Sequence, residues 1–250
     1  MMLEFEKVSK YYGKKAVLKN VSFSVKRGEI FGILGQSGAG KSTIGKLLLQ
    51  MIKTTEGKIL FEGKELKELN RREIQTVFQD PYSSLNPGLK IGQILEEPLL
   101  ANGVKRKEER RKKVLETLKK VGLLESDAEK YPSELSGGQR QRVCIAGAII
   151  LSPKLIVCDE PIASLDLAMQ EQILQLIYRI NQEEGITFLF ISHNLPAIYR
   201  IADRILLLYQ GEVQEIQNTL DFFYHPNSEY GRQFLQNTKA RENSLTKKAV

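Results

Sequence analysis

Apolar and polar side chains alternate with a period of two over Glu4 to Val8 and Val21 to Val25, and Lys14-Lys15 and Arg27-Gly28 fall where turns belong. The first thirty residues therefore predict an antiparallel β layer. The pattern then changes: Ile30 to Leu34 is a short unbroken apolar run, as in a strand buried on both faces, and a glycine-rich turn leads from it into the amphipathic stretch Ser42 to Met51. Lys58 to Glu62 and Thr76 to Phe78 predict further strands. From about Ile91 to Val121 the period is helical, with polar and basic residues on one side, which makes a block over about 80–150 the candidate helical subdomain. Strand patterning returns at Leu155 to Asp159, a helix is predicted over Met169 to Gln182, and strands over Phe188 to Ser192 and Ile205 to Tyr209, the last ending in a Gln210-Gly211 turn. Apolar strands alternating with helices imply an α/β domain with a mostly parallel sheet covered on both faces. That domain is expected over 1–236, followed by a polar tail over 237–250 that lacks periodicity from about Lys239 and is expected to fray. No internal repeat is present.

With 250 residues, 42% hydrophobic and 27% charged, the chain has enough apolar material for an ordinary core. It contains no run of eighteen apolar residues, and its start, MMLEFEKVSK, lacks the basic-then-apolar pattern of a signal peptide; the expectation is a cytoplasmic protein. Cys144 and Cys158 have neither CxxC spacing nor a nearby histidine, so core packing in a reducing compartment accounts for them. Much of the net charge of +7 lies between Val104 and Val114 and in the tail from Lys239, a pattern of solvated helix faces; no nucleic-acid partner is expected.

Gly35-Gln36-Ser37-Gly38-Ala39-Gly40-Lys41-Ser42 fits GxxxxGK[ST] and sits between the predicted buried strand and helix, as a P-loop does. Its glycines let backbone N–H groups turn toward phosphate, and the helix start adds a favourable dipole. Gly35, Ser37, Gly38, Ala39, Gly40, Lys41, Ser42 and the adjacent Thr43 are thus candidate ATP-binding residues, with Lys41 reaching the β and γ phosphates and Ser42 ligating Mg²⁺. Leu155 to Glu160 places two carboxylates where a buried strand opens toward those phosphates: Asp159 suits the Mg²⁺ shell, and Glu160 suits polarising the attacking water.

Leu135-Ser136-Gly137-Gly138-Gln139 is the LSGGQ motif, and the chain resembles the ABC ATPases, whose other markers occur in order: Gln79 at the Q-loop, Ser164-Leu165-Asp166 at the D-loop and His193 at the switch position. The resemblance runs from Tyr12 to about Gly211. It implies that Tyr12, with Tyr11 as the competing choice, stacks on adenine, that Gln79 contacts Mg²⁺ or water, and that His193 contacts the γ phosphate. It also implies that Ser136, Gly137, Gly138, Gln139 and Asp166 serve the nucleotide of a second subunit, so that the working unit is a dimer. Two departures stand out: Ile162 replaces the family's usual threonine or serine, and Ala163-Ser164 inverts the common order.

The segment Val77 to Pro87, the stretch Ile94 to Leu99 and His225-Pro226 look like the branch that imports oligopeptides, dipeptides, nickel and metal chelates, and Tyr82 resembles the second of its two ATPase subunits. The resemblance implies a paralogous ATPase partner, two membrane-spanning permeases, an extracytoplasmic binding protein and a place on the cytoplasmic face of the membrane. The chain is short for that branch and lacks a cysteine-rich extension, which tilts the expected cargo toward nickel. A soluble ABC ATPase acting on DNA or ribosomes is the alternative, disfavoured by the single cassette and the absence of a long coiled-coil insert.

Overall fold

A computed structural model describes residues 1–78, 80 and 84–246, without the side chains of 71 and 238–246. The expected Q-loop residues Gln79 and Tyr82 lie outside the described residues. β1 (Leu3–Tyr12) and β2 (Lys15–Val25) form a hairpin, followed by β3 (Ile30–Leu34), α1 (Lys41–Leu48), β4 (Glu56–Phe61), β5 (Lys64–Glu65) and β6 (Ile74–Val77). Then come α2 (Ile91–Ala101), α3 (Lys107–Lys120), α4 (Gly137–Ile149), β7 (Leu155–Asp159), α5 (Leu167–Glu184) and β8 (Thr187–Ile191). α6 (Leu195–Ile201), β9 (Arg204–Tyr209), β10 (Glu212–Asn218), α7 (Thr219–Tyr224) and α8 (Glu229–Thr246) complete the described chain.

The strands form two sheets, an antiparallel one in the order β2-β1-β4-β5 and a larger one in the order β10-β9-β3-β8-β7-β6. In the larger sheet β3 runs parallel to β8 and β9, β7 parallel to β6 and β8, and only β10 is antiparallel. The expected mostly parallel sheet and N-terminal antiparallel layer are both present. β3 and β8 are buried along their whole length, which is why their sequences do not alternate. One core packs the antiparallel layer and α1 against one face of the large sheet through Phe5, Phe23, Phe31 and Ile44; the other packs the helices against the opposite face through Ile156, Phe188, Phe190 and Ile177.

Several expectations need correction. The helical stretch expected from about Ile91 to Val121 is built as two helices, because Asn102 ends α2 and Gly103 turns at φ 84°. Strand β10 and helices α6 to α8 carry weak patterns: β10 reads EVQEIQN, with one of its seven residues buried, since it is the edge of the sheet. The polar stretch from Lys239 lies within α8 as far as Thr246; Lys239, Ala240, Arg241 and Glu242 are good helix formers without an apolar stripe. Both cysteines are set in the fold as packing groups: burial pushes the Cys144 thiol up to about 12, with the Asp80 carboxylate adding to it, and burial raises Cys158 as well.

Candidate functional site

β3 delivers the chain into a loop that ends at Gly40, where φ is 107° and any Cβ would lie 2.9 Å from the carbonyl oxygen of Val17. Only glycine fits there, and α1 begins at the next residue. Lys41, 8% exposed, folds back so that Nζ donates to the carbonyls of Gly35 (2.7 Å) and Gln36 (3.0 Å). Burial pulls its pKa below the usual lysine value, while Glu160 and Asp159 favour the charged form. The ammonium therefore rests on two weak carbonyl partners in a confined place, and phosphate oxygens would be stronger ones.

Asp159 ends β7 beside α1, and its Oδ1 accepts from the Ser42 hydroxyl at 3.3 Å. Burial raises the Asp159 carboxyl above the ordinary range, partly offset by the Ser42 hydroxyl. The hydroxyl and carboxylate oxygens that converge here are the hard, sparse donor set Mg²⁺ takes when phosphates supply further ligands, so the residues fit that ion.

Glu160 follows in the left-handed region at φ 52°, strained for a non-glycine residue, and its backbone N–H donates to Ile191 O at 2.9 Å. Its side chain is turned to the end of β8. Oε1 accepts from the His193 backbone N–H at 3.0 Å and stands 2.6 Å from His193 Nδ1; Oε2 accepts from the Ser192 hydroxyl at 3.1 Å. The carboxylate is 14% exposed and the imidazole 67%, so the ring reaches outward while the acid stays mostly covered.

Gly40, Lys41 and Ser42 line one cleft of about 850 Å³, with Tyr12, Ser37, Gly38 and Thr43 on its wall. Glu160, His193 and Gln210 line it too. Tyr12, half exposed, is thereby separated from Tyr11, which faces a different, shallower groove of about 970 Å³ with Phe5 and Lys7. That larger groove carries none of the phosphate residues. Adjacent residues of β1 thus open onto different grooves. Gly35, Ala39 and Asp159 belong to the same loop and strand end.

Ser136, Gly137, Gly138, Gln139 and Asp166 are absent from that lining. They form a second constellation. Ser136 caps α4, its Oγ accepting from Gln139 N while Gln139 Oε1 accepts from Ser136 N. Asp166 caps α5 by accepting from Met169 N at 2.9 Å, and the Met169 methyl fills the space left by the missing side chain of Gly138. Ile162, the departure noted above, is 1% exposed and acts as core, its carbonyl accepting from Leu165 N and Gln170 Nε2.

Sequence reasoning missed three contributors. Ser192 is a fully buried hydroxyl, Gln210 sits in a left-handed turn on the cleft wall, and Gly211 N–H supports the loop by donating to Ala39 O at 3.0 Å. Only the Gln210-Gly211 turn left a trace in the sequence.

A glycine loop at a strand end, a buried lysine, a hydroxyl–carboxylate pair and a clamped glutamate define a P-loop nucleotide hydrolase. The ABC transporter family profile matches residues 18–163. The oligopeptide transport ATP-binding protein AppF of Bacillus subtilis is 40% identical over 253 residues, covering 94% of this chain and 77% of its own length. The glutathione import ATP-binding protein GsiA of Pectobacterium atrosepticum is 43% identical over 225 residues, covering 87% of this chain; the chain spans 36% of that relative's length. Among solved structures, the dimeric ATP-binding cassette MJ0796 in a post-hydrolysis state with ADP and Pi aligns at a TM-score of 0.76 and 35% identity, over 87% of this chain and 99% of its own. The chain belongs to the ABC transporter family, and it is an ATP-hydrolysing member of it.

Proposed function

We propose that this chain is one of two ATPase subunits that drive an importer of peptide-class cargo from the cytoplasmic face of the membrane, as a single cassette over 1–236 with a helical insert at about 80–150. The observation that carries the dimer is the separation of its two constellations: the cleft with Lys41, Glu160 and His193 does not include Ser136 to Gln139 or Asp166. A second subunit would bring its own copy of these across the interface, and the similarity to a dimeric cassette supports that arrangement. The partner is a paralogue, and the pair works with two permeases and an extracytoplasmic binding protein. Among the described residues no helix is long and apolar enough to cross a membrane, in keeping with a peripheral subunit.

Tyr12 stacks on adenine, and Lys41 with the loop N–H groups holds the phosphates. Ser42 and Asp159, with Gln79, would hold Mg²⁺, whose charge would neutralise the phosphate oxygens. Glu160 accepts a proton from the attacking water, and His193 holds the γ phosphate side in line. The relatives named for glutathione and oligopeptides support peptide cargo over the nickel complex that chain length suggested. The test is uptake of a labelled dipeptide, labelled glutathione and nickel in cells carrying the intact chain or Glu160→Gln. Loss of peptide or glutathione uptake with nickel unchanged is expected; loss of nickel uptake alone would overturn the cargo reading.

A further inference from the structure

Glu160 is held at both carboxylate oxygens, but by groups of different kinds. Oε1 meets His193 through both its backbone N–H and its ring, and that ring is largely exposed. Oε2 meets the hydroxyl of Ser192, which has no exposed surface. Ser192 is held at two further points. Its own backbone N–H donates to Ile33 O at 3.2 Å, tying it to the strand that feeds the phosphate loop. Its Oγ accepts from Asn194 N at 3.1 Å, and Asn194 in turn caps α6 by accepting from Ala197 N at 3.0 Å. With a lone pair engaged by Asn194, the hydroxyl proton is directed to Glu160 Oε2.

We infer that Ser192 is the positioning residue of the glutamate: it fixes the plane of the Glu160 carboxylate, so that when His193 turns away the acid still presents one oxygen to the attacking water. The inference rests on the reading of Glu160 as the group that takes the water's proton. Glu160 needs such a brace because its backbone sits in a sparsely populated region and its other side-chain partner is a largely exposed ring, which leaves only the His193 backbone N–H on Oε1 if the ring departs. An aligned hydrogen bond to a charged group is the kind of contact whose loss is felt in the transition state more than in ATP binding, since the hydroxyl does not line the ATP cleft.

The experiment measures steady-state hydrolysis and binding of a fluorescent ATP analogue with the full chain carrying Ser192→Ala, Ser192→Thr, Glu160→Gln or the Ser192→Ala/Glu160→Gln pair. Ser192→Ala should lower kcat by about tenfold or more, with KM and analogue binding within twofold of the parent. Ser192→Thr, which keeps the hydroxyl, should recover most of that loss, and the double variant should be no slower than Glu160→Gln alone. A Ser192→Ala chain that turns over normally while Glu160→Gln is inactive overturns the inference and leaves the role of Glu160 standing. If Ser192→Ala instead loses analogue binding along with turnover, its role is structural and the inference also fails. An active Glu160→Gln chain overturns the reading of Glu160 itself, and the inference with it.

Discussion

Oε1 of Glu160 stands 2.6 Å from Nδ1 of His193, and the backbone N–H of the same histidine donates to that oxygen. With Nδ1 engaged, the other ring nitrogen is the one left to face the cleft that His193 lines. His193→Ala is therefore expected to reduce hydrolysis by about a hundredfold, the scale of the loss when a reacting group is misplaced by about 1 Å. ATP binding should persist, because Lys41 and the loop are untouched. Parallel measurements of turnover and nucleotide affinity check this; a joint loss of both would place His193 in ATP binding.

Tyr12 and Tyr11 are adjacent in sequence but open onto different grooves. Stacking of a base on an aromatic ring is worth ~1–3 kcal/mol, so Tyr12→Ala should raise the KM for ATP by about tenfold and Tyr11→Ala should leave it unchanged. Steady-state kinetics of the two variants compare them directly. The reverse result would mean that the base reaches the outer groove.

The sequence made this site legible where backbone geometry restricts residue choice and where strands are buried on both faces. Gly40 and Lys41 announce the loop, Ile30 to Leu34 the strand before it, and Leu155 to Glu160 the acidic strand end. That Tyr11 and Tyr12 open onto different grooves is a property of the sheet, not of the residues. Ser192 escaped notice because a hydroxyl at a strand end has many ordinary reasons to be there. Strand β10 and the helices after it were hidden for a different reason: they pack at the edge of the larger sheet, where one apolar face is enough and the pattern is diluted.

Gly211 turns at φ 81°, and a Cβ there would meet Val17 O at 2.4 Å, a backbone atom that cannot swing aside. Its N–H donates to Ala39 O, and its carbonyl accepts from Lys19 N. Gly211→Ala should move this turn off the phosphate loop, raising the KM for ATP and lowering stability by about 1–3 kcal/mol. Denaturant unfolding and nucleotide titration on the same sample check both effects. Normal ATP affinity in a destabilised variant would show that the turn does not set the loop.

Asp159 lies above the ordinary carboxylate range because of burial, with the Ser42 hydroxyl pulling it partly back. As pH rises the unfolded chain gives up this proton first, so the group's contribution to stability declines from the unfolded pKa up to the raised folded one and is level above it. Asparagine stays neutral throughout. In nucleotide-free and metal-free buffer, Asp159→Asn should therefore melt higher than the parent at pH 7.5, with the difference vanishing in acid below both values, while Mg²⁺-supported hydrolysis is lost. Melting curves across pH test the sign; a variant less stable than the parent at neutral pH would contradict it.

Gly138 separates the two halves of the site most clearly. A Cβ at this position would displace the Met169 methyl from the start of α4, yet neither residue lines the cleft that holds Lys41. Gly138→Ala should leave ATP binding by the isolated chain intact while hydrolysis falls, because in the proposed dimer the altered surface acts on the nucleotide of the other subunit. Gly40→Ala should differ by losing ATP binding itself, since its Cβ would collide with Val17 O beside the loop. Fluorescent-analogue titration below the concentration at which subunits pair, followed by turnover at high protein concentration, separates the two cases. Weakened binding by a lone Gly138→Ala chain would mean that the constellation from Ser136 to Gln139 serves this chain's own nucleotide, and the argument for a composite dimer would fall.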